Sequence, residues 1–140
     1  MITCTRRIQF CAGHRVHNHE SKCRNLHGHN YVAMFEVEAP ELDHLGRVVD
    51  FSVLKQLLGG WVESHWDHGF LVWVKDDNAI VAVSSVPGQK IYLMPDNPTA
   101  ENMASYLLRT ICPVVLMGTG VTVRRVILHE TENCWAEATL

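Results

Sequence analysis

Four residues between positions 14 and 29 have the types and spacing for metal binding and proton transfer: His14, Cys23, His27 and His29. The last three lie in Cys23-Arg24-Asn25-Leu26-His27-Gly28-His29-Asn30-Tyr31, and His14 closes Phe10-Cys11-Ala12-Gly13-His14. With Tyr31 in a strand, His27 and His29 project from one face at its start, their backbones about 6–7 Å apart. Two imidazoles so placed converge on one ion, and His14 adds a third if its own strand pairs alongside. Three neutral imidazoles on a divalent ion leave one position open, the arrangement of a catalytic zinc and not of a structural one. Cys23 is then not needed as a ligand. Lys22, Arg24 and a dication beside it favour its thiolate, so Cys23 is a candidate base or nucleophile.

These groups need a sheet to hold them. Arg6-Arg7-Ile8-Gln9-Phe10-Cys11-Ala12-Gly13 alternates as a strand, and the polar stretch from Val16 to Lys22 reads as a loop. Tyr31 to Ala39 is rich in aromatic and β-branched residues and is stopped by Pro40. Phe51, Leu54, Leu57, Leu58, Trp61, Val62 and His65 recur at helical spacing behind Asp50 or Ser52 as cap. Gly59-Gly60 weakens that helix or marks a tight contact with the sheet. Phe70–Val74 and Lys90–Met94 read as short strands around a mobile polar stretch. Pro98-Thr99-Ala100-Glu101 opens a second helix with Thr99 as N-cap, and Pro113 ends it. Val121 to Thr131 and Trp135 to Leu140 form a closing strand pair. The order predicts one α+β domain over 1–140, with two helices on one face of an antiparallel sheet of four main strands.

Composition narrows the function classes. With 47% apolar and 19% charged residues and a net charge of -3, the chain has no basic footprint for nucleic acid. Five cysteines without CxxC spacing read as reduced thiols in a cytoplasmic protein, and no apolar run approaches membrane-spanning length. Cys4, Cys11, Cys112 and Cys134 read as buried small hydrophobes. Arg15 and Arg24 are the cations nearest the histidine cluster, available for an anionic ligand.

The histidine motif, Trp66-Asp67-His68, Pro98-Thr99-Ala100-Glu101 and Glu130-Thr131 stand in this order along the chain. Together they resemble the family of 6-pyruvoyl- and 6-carboxy-tetrahydropterin synthases, of the tunnelling fold (T-fold), from about Phe10 to the last strand. The resemblance implies a zinc enzyme with His14, His27 and His29 as ligands and Cys23 as proton acceptor. By the same resemblance Asp67 and His68 form the relay partner of that cysteine, and Glu130 holds the pterin and completes the relay, with Thr99 assisting. Carboxy-forming members resemble Cys-x3-His-Gly-His and pyruvoyl-forming ones Cys-x5-His-Gly-His. The three residues between Cys23 and His27 favour the former.

That branch implies conversion of 7,8-dihydroneopterin triphosphate to 6-carboxy-5,6,7,8-tetrahydropterin, acetaldehyde and triphosphate, on the route to 7-deazaguanines such as queuosine. The alternatives are 6-pyruvoyl-tetrahydropterin synthesis, which eliminates triphosphate and keeps every carbon, and a non-catalytic metal-binding protein on the same fold. The resemblance further implies a homo-oligomer: a trimer whose sheets join into a barrel, or a dimer of such trimers, with Cys23 and His68 meeting across a subunit boundary. Two departures from the family pattern, Trp66 where a leucine is usual and a long stretch between His68 and Pro98, are expected to reshape the pocket wall.

Overall fold

A computed structural model describes residues 1–140 and places six strands in one sheet. In chain order the elements are β1 (Thr3–His14), β2 (His27–Glu38), helix α1 (51–65), β3 (Gly69–Trp73), helix α2 (Asp77–Ser84), β4 (Ile91–Met94), helix α3 (100–115), β5 (Thr122–His129) and β6 (Trp135–Thr139). The sheet order is β4-β3-β1-β2-β5-β6. β1–β2, β2–β5 and β5–β6 pair antiparallel, whereas β3 runs parallel to both β1 and β4. The sheet is therefore mixed and six-stranded, not antiparallel and four-stranded. The stretch between His68 and Pro98 accounts for the difference. It adds two parallel strands at one edge, joined by α2 where a mobile loop was expected, because parallel neighbours need a crossover.

α1 and α3 cover one face of this sheet and enclose a core of 24 buried residues, among them Phe10, Tyr31, Phe35, Leu54, Trp66, Met103 and Leu128. A smaller cluster of Val72, Ala79 and Val83 lies under α2. Trp66 is fully buried and packs against Phe10 and Tyr106, so it fills core and does not line a pocket wall. Both long helices contain a five-residue π segment, Lys55–Gly59 in α1 and Leu107–Ile111 in α3. In α1 the wide turn brings Gly59 against the sheet, where a Cβ would stand 3.2 Å from the end of Ile8. In α3 the wide turn sits just before Pro113. The helix runs on to Val115 because that turn accommodates a residue that lacks an N–H.

Alternation along β1 settles the cysteines. Phe10, Ala12 and His14 point into the core, so Cys11 stands on the opposite face and is exposed. Cys134, in the turn before β6, is exposed as well. Only Cys112 is fully buried, where burial pushes its thiol up to about 12; Cys4 is half-buried. No disulfide is formed, and no helix is long and apolar enough to cross a membrane.

Candidate metal centre

The β1–β2 hairpin builds the histidine cluster by register alone. His14 pairs directly with His27 at the open end, and Ala12 pairs with His29 two rungs further in. His14, His27 and His29 therefore share one face, and one ring nitrogen from each lies within 4.8 Å of the others. Gly13 is required here: a Cβ on it would sit 2.5 Å from the Phe70 ring on β3.

Backbone carbonyls aim the rings. His14 Nδ1–H donates to the Pro98 carbonyl at 2.7 Å, and His27 Nδ1–H donates to the Asn25 carbonyl at 2.6 Å. Both bonds select the tautomer that leaves Nε2 as a lone pair, the usual outer support of a metal-bound imidazole. The two Nε2 atoms are 3.1 Å apart. Two nitrogens on one tetrahedral ion with bonds of about 2.0–2.1 Å lie about 3.3 Å apart. Nε2 of His29 is buried and makes no hydrogen bond, although Glu130 Oε1 lies 3.3 Å away. Two inward lone pairs this close, with a buried unbonded nitrogen on the third ring, are costly unless a cation occupies the space among the rings. The donor set fits a metal ion with a position left open.

The electrostatics agree with neutral ligands. His14 is 1% exposed, and burial drives its pKa down to about 4, against the Pro98 carbonyl and with help from His27 and His29. Burial also lowers His29, opposed by Glu130 and reinforced by His27. Tyr31, fully buried, stacks on Phe10 and sets its edge near His14 and His29, forming an apolar floor. Glu130 follows the end of β5 and shares a cavity of about 710 Å³ with His29, Asn30, Gln9 and Arg7. A second cavity of about 600 Å³ lies between β1 and α1; Asp67 lines it and none of the three histidines does.

The remaining expected site residues lie elsewhere. Cys23 is half-buried in a single 3₁₀ turn, Lys22–Arg24, whose carbonyl at Cys23 accepts from Val16 N at 2.8 Å. No thiol belongs to the three-histidine set. Asp67 and His68 follow α1, and their ion pair of 2.9 Å lies beside Cys11, not Cys23. Burial raises Asp67, but the Cys11 amide and His68 outweigh it and hold the carboxyl below the usual carboxylate range. His68 has φ +59, a left-handed backbone, and is 78% exposed. Thr99 caps α3 by accepting from Asn102 N at 3.1 Å, which leaves its hydroxyl hydrogen and one lone pair for a ligand.

Two features were missed from sequence. The Pro98 carbonyl is a support for His14, signalled only by the helix start that follows it. Arg15 is committed to Asp76 through two hydrogen bonds of 2.6 and 2.5 Å, so it is not a free cation for an anionic ligand. Asp76 is 2% exposed and also caps α2 through Ala79 N. Arg24 is exposed on the 3₁₀ turn.

Comparison with known proteins places this geometry. Residues 3–139 match the family model described as 6-pyruvoyl tetrahydropterin synthase. Relatives named 6-carboxy-5,6,7,8-tetrahydropterin synthase from Rickettsia felis and Rickettsia bellii are 42% and 43% identical over 137 residues, covering 98% of this chain and 99% of theirs. Among solved structures, an uncharacterized protein of Wolinella succinogenes superposes with a TM-score of 0.82 at 23% identity, covering 99% of this chain and 97% of that one. The 6-pyruvoyl tetrahydropterin synthase of Caenorhabditis elegans gives 0.69 at 24% identity, covering 99% and 95%.

Proposed function

The chain belongs to the 6-pyruvoyl tetrahydropterin synthase family, and we propose that it converts 7,8-dihydroneopterin triphosphate to 6-carboxy-5,6,7,8-tetrahydropterin, with release of acetaldehyde and triphosphate. The observation that carries this reading is the full-length similarity to relatives named for that product. The Cys-x3-His-Gly-His spacing at Cys23–His29 supports it.

We assign zinc to the three-histidine centre, on the preference of that ion for imidazole nitrogen and four ligands. Bound there, it would supply Lewis acidity to the substrate's side-chain hydroxyls and ease removal of protons from oxygen and neighbouring carbon. The Pro98 and Asn25 carbonyls keep His14 and His27 in the ligating tautomer throughout. Cys23 takes the proton as thiolate. His68 receives and returns it, with Asp67 fixing the ring through the 2.9 Å bond to Nδ1. The Glu130 carboxylate accepts two parallel hydrogen bonds from the 2-amino and N3–H edge of the pterin, and Thr99 adds a hydroxyl contact. Triphosphate leaves, and a retro-aldol-like carbon–carbon cleavage follows, with one water taken up overall to supply the oxygen that balances the carboxylate, acetaldehyde and triphosphate. By the family resemblance, and not from any separation seen within one chain, we assign Cys23 and His68 to neighbouring subunits of a homo-oligomer, trimer or dimer of trimers.

Incubation of the purified protein with 7,8-dihydroneopterin triphosphate, read by mass spectrometry, tests the reading. Acetaldehyde and the 6-carboxy product are expected. A product retaining the intact three-carbon side chain would overturn it in favour of pyruvoyl-tetrahydropterin synthesis, and no turnover would indicate a binding protein.

A further inference from the structure

Asp67 and His68 meet a thiol within this chain, that of Cys11. Cys11 Sγ, a carboxylate oxygen of Asp67 and a ring nitrogen of His68 lie within 4.8 Å of one another. Main-chain bonds hold the group together. The Cys11 amide donates to Asp67 Oδ1 at 3.0 Å, and the Cys11 carbonyl accepts from the His68 amide at 2.7 Å. The two residues after α1 are thereby held against β1, which keeps their side chains close to that of Cys11. The thiol stands on the sheet face away from the helices, where it donates to Asn30 Oδ1 across the β1–β2 pair at 3.1 Å.

Thiolate, imidazole and carboxylate together suit zinc-like dications, whereas magnesium and calcium take oxygen ligands. Ligand atoms on one tetrahedral ion lie about 3.3–3.8 Å apart. The present separations exceed that by about 1.5 Å at most, a closure available to the exposed side chains of Cys11 and His68 by rotation about χ angles.

We propose that Cys11, Asp67 and His68 form a second metal site for a zinc-like dication, separate from the three-histidine centre and weaker than it. Binding forms a metal–sulfur bond and releases the thiol proton to solvent, and water completes the coordination. The site is weaker because Cys11 and His68 are exposed and Sγ must leave Asn30, whereas His14 is buried and the His14 and His27 rings are already aimed by carbonyls. An ion there ties up Asp67 and His68, so zinc in excess of the first equivalent inhibits turnover. That consequence rests on the proton-carrying role proposed above for the pair; the binding does not.

Protein holding one zinc per chain is titrated with Co²⁺, and the sulfur-to-cobalt charge-transfer band is recorded alongside equilibrium dialysis. The wild type is expected to take up a further equivalent with the band, and Cys23→Ser to keep both. Cys11→Ser is expected to lose the band and weaken that equivalent at least about tenfold while retaining the first. His68→Ala weakens it independently. No band in the wild type, a band surviving in Cys11→Ser, or unchanged cobalt affinity in both variants overturns the site. In turnover assays, excess zinc should inhibit the wild type and spare Cys11→Ser. A cobalt band accompanied by undiminished wild-type turnover would overturn the proton-carrying role of Asp67 and His68 instead.

Discussion

The three-histidine centre and the corner formed by Asp67 and His68 are built in opposite ways. The first is assembled by one hairpin, with His14 opposite His27 and both of those rings aimed by backbone carbonyls. His14 is buried and the other two rings are partly so, and Nε2 of His29 makes no hydrogen bond. The second lies where a helix end meets the edge of β1, with a left-handed backbone at His68 and its imidazole mostly in solvent. The first arrangement is complete in one chain. The second lies open to solvent, with the Cys11 thiol of the same chain within 4.8 Å of it. Preorganisation and burial suit a resident ion, while exposure suits groups that act on something arriving from outside.

Removing ligands tests that contrast most severely. Purified protein should hold about one zinc per chain, and His27→Ala with His29→Ala should reduce both metal and turnover to background, read by metal analysis and product assay. Stoichiometric zinc in the double variant would break the assignment of the centre. Cys23→Ala should retain zinc and pterin binding yet lose turnover by at least about 100-fold. Metal loss in Cys23→Ala would instead make the thiol a fourth ligand.

The proposal that Cys23 and His68 act together across a subunit boundary is sharpened by mixing. Inactive Cys23→Ala and inactive His68→Ala chains, unfolded together and refolded, should regenerate a fraction of wild-type turnover if the two groups meet across a boundary. Acting in cis, every site would carry a defect and no activity would return.

Two smaller effects probe what supports the centre. Asp76→Asn leaves the Arg15 guanidinium without its counter-charge behind His14 and should cost about 1–3 kcal/mol near neutral pH, measured by denaturant unfolding. Arg15 holds the folded pKa of Asp76 below its unfolded value, so the unfolded chain binds the proton first as pH falls. The stabilisation is complete above the ordinary carboxylate range, about 3.9, and is lost as pH drops through the folded value. The gap between wild type and Asp76→Asn should therefore close in acid. Thr99→Ala removes the cap of α3 beside the Pro98 carbonyl and should cost about 1 kcal/mol of stability while zinc content is unchanged.

The sequence by itself determined what local periodicity controls. The spacing of His27 and His29 places them on one face of a strand whatever surrounds it, and β1 and β2 alternate clearly enough to predict their pairing. The run from Phe51 to His65 and the Thr99 cap were legible for the same reason, as was His65 at its helix end, where its ring bonds the Trp61 carbonyl. Cys11 reads by type as a buried hydrophobe and is instead exposed, because it alternates with the inward-pointing Phe10 and Ala12. Only the tertiary structure decided which distant partners each group meets. Arg15 and Asp76 are 61 positions apart, His14 and the Pro98 carbonyl 84, and Cys11 and Asp67 56. Nothing in a local pattern encodes those pairings. They follow from how the parallel β3–α2–β4 unit and α3 fold back on β1, and that depends on burying apolar faces against the whole sheet at once.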